Sequence, residues 1–132
     1  MRAARWAPLL ASLVLVACAA VPQGTPEEQV RQRASERWQA LVAGDFAKAY
    51  TYSTPGFKAV VAADAYKDRF RASWHAAEVV QVSCAEPAKC TVKVRIDMKY
   101  MIKSTQPDSR ITTHADESWL LEDGQWSLFQ AL

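Results

Sequence analysis

The stretch TVKVRIDMKYMIK, residues 91–103, decides the fold class because its side chains alternate between apolar and charged. Successive side chains of a β-strand point to opposite faces of a sheet, so this alternation predicts a strand with one buried face and one solvated face. The apolar face carries Val92, Val94, Ile96, Met98, Tyr100 and Ile102. The opposite face carries Lys93, Arg95, Asp97, Lys99 and Lys103.

Three neighbouring segments also have the composition of strands. They are EVVQVSC at 78–84, ITTHADESWLL at 111–121 and QWSLF at 125–129. Asp123-Gly124, between the last two, predicts a two-residue hairpin turn.

The segment upstream of the strands predicts helices. Thr25 can cap the first helix, Pro26 suits its first position, and Glu28 completes a capping box. Apolar residues recur at helical spacing before a stop at Gly44, namely Val30, Ala34, Trp38, Leu41 and Val42.

Two more helical segments are expected before the strands begin. Asp45 can cap a helix over 46–52, which Pro55-Gly56 interrupts. Residues 64–74 predict a further helix that starts at Asp64, with Tyr66, Phe70 and Trp74 spaced by four. Helices followed by consecutive antiparallel strands indicate a single α+β domain over 26–132, with the helices packed on one face of a sheet of about four strands.

Cys84 and Cys90 flank the short loop AEPAK between two predicted strands. If these cysteines face each other in an antiparallel hairpin, then Val82 faces Val92 and Val80 faces Val94 on the apolar side. The pairs Ser83–Thr91 and Gln81–Lys93 fall on the other side. The register that closes a disulfide therefore also joins the apolar faces, which predicts a structural bridge. Free thiols and a redox-active couple are the alternatives.

The N-terminus has the pattern of a secretory signal. Arg2 and Arg5 supply a positive region, and residues 6–17 form an apolar run that is too short for a stable membrane span. The run ends LVAC at Cys18, which resembles the lipobox of bacterial lipoproteins. That resemblance implies cleavage of residues 1–17, lipid attachment at Cys18 and a short tether over 18–25. Ala19 favours the outer membrane, with the domain facing the periplasm. An ordinary signal peptide with a chance cysteine is the alternative.

Cleavage would change the charge of the chain. The whole sequence has a formal net charge of +2, and loss of Arg2 and Arg5 leaves fourteen basic residues against fourteen acidic ones. A neutral domain offers no overall electrostatic attraction for nucleic acid, so no nucleic-acid partner is expected. The lipid supplies the membrane contact.

LVAGDFAKAY at 41–50 and WLLEDGQW at 119–126 resemble the nuclear transport factor 2-like (cystatin-like cone) superfamily. The similarity extends over most of residues 26–132. It implies a curved sheet that wraps helices around a cone-shaped pocket, with homodimers often formed through the sheet. The superfamily includes isomerases and dehydratases, but their acid–base residues have no residue-by-residue match here.

Glu117 is the best candidate for a catalytic carboxylate, because alternation along its strand turns it inward with Trp119 while His114 and Asp116 point outward. Tyr50, Tyr66 and Tyr100 are candidate hydroxyl partners. Glu117 as a strand-end cap or as the partner of a basic residue is the alternative. Asp97 lies on the charged face, and His75 is expected at the surface. The histidines lack supporting metal ligands, so neither a metal nor another cofactor is expected.

The leading functional hypothesis is a lipid-anchored periplasmic binding or accessory module whose aromatic-lined pocket takes a small apolar ligand or a segment of an envelope protein. Its candidate lining residues are Trp38, Tyr50, Tyr66, Phe70, Met98, Tyr100 and Trp119. An isomerase- or dehydratase-like enzyme that uses Glu117 is one alternative. A structural envelope protein that acts through its sheet face is another.

The charged face of the 91–103 strand carries a basic stripe. It consists of Lys93, Arg95, Lys99 and Lys103. One hypothesis is that the stripe binds anionic lipid head groups, lipopolysaccharide or an acidic partner. The other is that it is a solvated face whose charges keep the sheet soluble.

Overall fold

The computed structural model describes residues 24–100 and 109–132. These residues form three α-helices, which are α1 (Pro26–Val42), α2 (Phe46–Thr51) and α3 (Pro55–Val60), followed by a 3-10 helix at Tyr66–Arg69. They then form four strands, which are β1 (Ser73–Glu86), β2 (Lys89–Tyr100), β3 (Ser109–Glu122) and β4 (Gln125–Phe129). The strands make one open sheet in the order β1-β2-β3-β4, each antiparallel to the next. The α+β class is confirmed.

Helix α1 begins where the capping box predicts. Thr25 Oγ1 accepts from the Glu28 amide, and Glu28 Oε2 accepts from the Thr25 amide at 2.8 Å. The helix ends before Gly44, whose φ of +76° suits the left-handed turn after a helix. The apolar stripe of α1 is buried against the sheet.

The short helices differ in part from the sequence expectation. Asp45 caps α2 as predicted, with Oδ1 3.0 Å from the Lys48 amide. Pro55 and Gly56 separate α2 from the following chain, but they also begin α3, for which Thr54 provides the cap. Proline tolerates the first helical turn, because the amide it lacks would have no partner there.

The predicted helix over 64–74 is wrong. Only Tyr66–Arg69 is helical, as one 3-10 turn, and Phe70 is already extended. Trp74 instead lies in β1 opposite Met98. The spacing of four nevertheless marked a real cluster, since Tyr66 contacts Phe70 and Phe70 contacts Trp74. Packing against the sheet outweighs the local helical pattern here.

The β1–β2 register agrees with the prediction near the hairpin and departs from it further along. Val82 faces Val92, and Gln81 faces Lys93, as predicted. The predicted pair Val80–Val94 is wrong, because a β-bulge between Val79 and Gln81 puts Val79 opposite Val94. Val79 is 8% exposed and Val80 is 42% exposed.

The β3–β4 hairpin turns at Asp123-Gly124, where both residues have positive φ, 51° and 75°. This is the pattern of a type I′ turn and confirms the prediction. On its other side, β4 is joined to the chain after α2 by the Ser53–Leu128 bridge. The helices and the inner face of the sheet thus enclose one apolar core.

Candidate functional site

Cys84 and Cys90 form a disulfide with an S–S distance of 2.03 Å. The bridge lies across the β1–β2 hairpin, as the sequence predicts. Cys90 is fully buried, and Cys84 packs against the core from a partly buried position. The bridge therefore links the two strands of the hairpin beside the core.

Glu117 lies on the inner face of β3, as its position along the strand predicts, and its side chain is 9% exposed. His114 and Asp116 are exposed, also as predicted. The carboxylate accepts three hydrogen bonds. Their donors are Arg37 Nη1 at 2.8 Å and Trp38 Nε1 at 2.9 Å, both to Oε1, and Trp119 Nε1 at 3.1 Å to Oε2.

Arg37 is the charged partner of Glu117, and the sequence analysis missed it. Its side chain is 4% exposed, and its Nη2 donates to the Tyr66 hydroxyl at 3.2 Å. Its Nε has no partner among the described atoms. The signal was available, because Arg37 follows Val30 by seven residues and Ala34 by three, which places it on the buried stripe of α1.

Hydrogen bonds thus join five residues around this ion pair, which are Arg37, Trp38, Tyr66, Glu117 and Trp119. Both carboxylate oxygens of Glu117 are occupied by protein donors. A general base must instead reach a substrate proton within hydrogen-bond distance. The arrangement is that of a paired buried charge, which is the alternative interpretation of Glu117 stated above.

The aromatic residues predicted to line a pocket lie together in the core. The Tyr50 ring contacts that of Tyr66 at a centroid distance of 5.4 Å, and Tyr66 contacts Phe70 at 5.0 Å. Phe70 in turn contacts Trp74 at 5.1 Å, and Trp74 contacts Trp38 at 5.8 Å. Such edge-to-face contacts are favourable for aromatic rings in a packed interior. Trp74 belongs to this aromatic chain, although it is absent from the predicted lining set.

The predicted lining residues differ in exposure. Trp38, Tyr66 and Trp119 are buried, whereas Tyr50, Phe70 and Met98 are partly buried. The side chain of Tyr100 lies outside the described part of the structure, as do Cys18 and Lys103. None of the predicted lining residues lies in the depression between α1 and the β3–β4 hairpin, in the one beside Gln81 and Thr91, or in the one beside Phe57 and Phe129.

The basic stripe on the outer face is interleaved with acidic groups. Arg95 Nη2 lies 2.9 Å from Glu78 Oε2, and Lys93 Nζ lies 4.0 Å from Asp116 Oδ1. Asp97 accepts from the Thr112 hydroxyl at 2.7 Å. Exposed pairs of this kind contribute little to stability, but they leave a face of mixed sign.

His75 and His114 are exposed on β1 and β3. Within residues 24–100 and 109–132, no group of three or more metal-ligating side chains comes together. Over the same residues, no helix is both long enough and apolar enough to cross a bilayer.

No protein-family model matches the sequence, and no curated protein matches it either. Similar folds occur among solved structures. A crystal structure of a SEC-C motif containing protein from Psychrobacter arcticus superposes with a TM-score of 0.61 at 14% identity, over 83% of this chain and 63% of that one. The solution structure of RPA3114, a SEC-C motif containing protein from Rhodopseudomonas palustris, gives 0.56 at 15% identity, over 80% and 75%. At such identities the likeness shows the fold alone.

Proposed function

We propose that this chain is a bacterial lipoprotein whose α+β domain is held at the outer membrane by lipid on Cys18 and works in the periplasm as a binding or accessory module. The observation that carries the proposal is the Cys84–Cys90 disulfide. Disulfides persist in oxidising compartments such as the periplasm, which is where the LVAC motif would deliver the domain.

The proposal includes a nuclear transport factor 2-like cone as the framework of the domain. Helices that precede a four-stranded antiparallel sheet and pack on one of its faces support it. The outer face of mixed sign is compatible with the homodimers that this superfamily often forms through its sheet.

The proposed ligand is a small apolar molecule or an apolar segment of an envelope protein. Three partly buried apolar residues that adjoin the core support this choice, namely Phe70, Trp74 and Met98. An apolar group that covered them would remove further apolar surface from water, which is favourable.

One observation favours the alternative, an isomerase- or dehydratase-like enzyme. Glu117 is buried inside the fold, as such an enzyme would require of its carboxylate. The three donors that occupy its oxygens weigh against this role. A variant with both Arg37→Met and Glu117→Gln separates the two functions, since it removes the carboxylate without leaving a buried unpaired charge. It would abolish turnover by an enzyme but keep apolar ligand binding.

The anchor is tested by expressing the full chain and its Cys18→Ala variant in a bacterium. The proposal expects the wild type in the outer-membrane fraction, with an intact mass that shows loss of residues 1–17 and added acyl chains. It expects the variant to be unacylated and absent from the outer-membrane fraction. A wild-type protein with an unmodified Cys18 would overturn the anchor.

Ligand binding is tested separately with the purified soluble domain and the fluorescent probe anilinonaphthalene sulfonate. The expected result is saturable enhancement of probe fluorescence that a Trp74→Ala variant weakens. Phe129→Ala, at an exposed aromatic residue of β4 that does not belong to the aromatic chain, is the matched control. An unchanged signal in all three proteins would contradict the binding role.

A further inference from the structure

A polar groove of about 300 Å³ lies between α1 and the β3–β4 hairpin, and no residue of the aromatic chain lines it. Helix α1 contributes four residues at the spacing of one helix face, and the hairpin contributes three. The lining residues are Gln29, Gln32, Arg33, Glu36, Gly124, Gln125 and Trp126. The size is at the lower end for a small-molecule site.

Arg33 is held rigidly in this groove. Its Nε donates to the Trp126 carbonyl at 2.7 Å, and its guanidinium carbon lies 4.9 Å from the centroid of the Tyr52 ring. The Tyr52 hydroxyl is fixed in turn by Glu36 Oε2 at 2.9 Å. The guanidinium is therefore oriented before any ligand arrives, which lowers the entropic cost of binding.

The two Nη atoms of Arg33 make no hydrogen bond within the described residues, and no described carboxylate lies within 4.0 Å of them. Burial lowers the pKa of Arg33, whereas Tyr52 and Glu36 act in the opposite direction. A partly desolvated cation without a direct counter-ion gains from an incoming anion.

Amide groups surround this cation. Gln29 and Gln32 use their Nε2 atoms for bonds to the Gly24 carbonyl and to Glu36 Oε1, while their own Oε1 atoms have no partner in the described chain. Gln125 is exposed, and its side-chain amide makes no hydrogen bond within the described residues. These groups can pair with amides or hydroxyls of a ligand.

We propose that this groove binds a small ligand that carries one carboxylate, with the Nη atoms of Arg33 as a bidentate anchor and the glutamine amides as partners for its remaining polar groups. The planar guanidinium fork matches the two oxygens of a carboxylate. A free carboxylic acid and the C-terminus of a short peptide share this chemistry.

Glu36 sets the charge that the groove accepts. Its carboxylate stands one helical turn from Arg33, and its oxygens already accept from Gln32 and Tyr52. It repels any anion in the groove, and it repels a phosphate dianion more than a carboxylate. This is why the proposal commits to a singly charged acid.

The experiment titrates the purified full chain with acetyl-alanyl-alanine and with its C-terminal amide, and it follows binding by amide chemical shifts. The acid should shift residues of the groove, and the amide should bind at least about tenfold more weakly. Acetate and inorganic phosphate complete the series. Binding by acetate alone would assign the site to free acids, and stronger binding by the dipeptide acid would assign it to peptide C-termini. Equal binding of acid and amide, or tighter binding of phosphate, would overturn the proposal.

Substitutions that are expected to change the affinity in opposite directions make the test specific. Arg33→Lys keeps the charge but loses the fork, so affinity should fall about tenfold, whereas Glu36→Gln should raise it. Gln125→Ala, on an exposed residue, should weaken binding without loss of folding. Arg31→Lys is the matched control, because Arg31 bonds the Val79 carbonyl outside the groove. Wild-type affinity in all four variants would refute the site. Thermal unfolding of each variant checks that it folds.

Discussion

Arg37 of α1 and Glu117 of β3 form a buried ion pair, with Nη1 2.8 Å from Oε1, although 80 positions separate them in the sequence. The pair joins the first helix to the third strand through the core. Tyr66 and two indole N–H groups make further hydrogen bonds to the pair. A buried pair of this kind stabilises little against an apolar replacement, yet removal of one member leaves a buried charge.

Arg37→Met should therefore destabilise the domain strongly. The Glu117 carboxylate would keep its indole donors but lose its counter-charge, at a cost of about 3–5 kcal/mol in the free energy of unfolding. Urea unfolding followed by tryptophan fluorescence measures this change.

The double variant Arg37→Met with Glu117→Gln is the control for that interpretation. It removes both charges, so it should recover a large part of the lost stability. A double variant that is less stable than Arg37→Met would show that Glu117 contributes independently of the pair.

The Cys84–Cys90 bridge should contribute about 2 kcal/mol, because it closes a short loop and so removes only a small part of the entropy of the unfolded chain. A Cys84→Ser, Cys90→Ser variant tests this by chemical denaturation. Wild type measured with a reductant should approach the variant, and the variant itself should be insensitive to the reductant. No difference between oxidised wild type and the variant would show that the hairpin holds without the bridge.

Local rules predicted much of this fold. The capping box at Thr25, the hairpin at Asp123-Gly124 and the alternation of β2 each depend on neighbouring residues, and each is confirmed. The disulfide followed from the same alternation, since the register that brings the two sulfurs together also pairs Val82 with Val92.

The predictions that failed depend on contacts between residues that lie far apart in the sequence. Trp74 has helical spacing with Phe70, but its pairing with Met98 draws it into β1. Arg37 looks like a surface arginine until Glu117, far along the chain, arrives beside it. The polar groove likewise needs Arg33 and Trp126 in contact, and no local pattern foretells that contact.

The stability of the domain should fall at acidic pH partly through Glu36. Hydrogen bonds from Gln32, and next from Tyr52, lower the pKa of Glu36 below its ordinary 4.5. The stabilisation is then present above pH 4.5 and is lost as pH falls through the lower folded-state pKa. Glu36→Gln should flatten this part of the urea-unfolding profile, and Glu86→Gln at the exposed end of β1 should not. Equal slopes in both variants would contradict the assignment.

At alkaline pH the hydrogen bond from Tyr52 to Glu36 affects the stability of the domain through the ionisation of Tyr52. Burial, and next the bond to Glu36, raise the pKa of Tyr52 above 10.0. Its contribution is present below pH 10.0 and is lost as pH rises through the higher folded-state pKa. Tyr52→Phe should remove this loss, as measured by unfolding at a series of alkaline pH values. If the loss persists unchanged in Tyr52→Phe, another group is responsible.

The bulge in β1 makes two adjacent valines unequal. Val79 faces the core, and its carbonyl accepts from Arg31 Nη1 at 2.9 Å, whereas Val80 faces solvent. Val79→Thr buries a hydroxyl and should cost about 1–3 kcal/mol, whereas Val80→Thr should stay within about 0.5 kcal/mol of wild type. Urea unfolding of the two variants compares them directly, because shape and propensity change equally in both. A register without the bulge would place Val80 in the core and would reverse the order of the two losses. A larger loss of stability in Val80→Thr than in Val79→Thr would therefore contradict the bulge and support the Val80–Val94 pair.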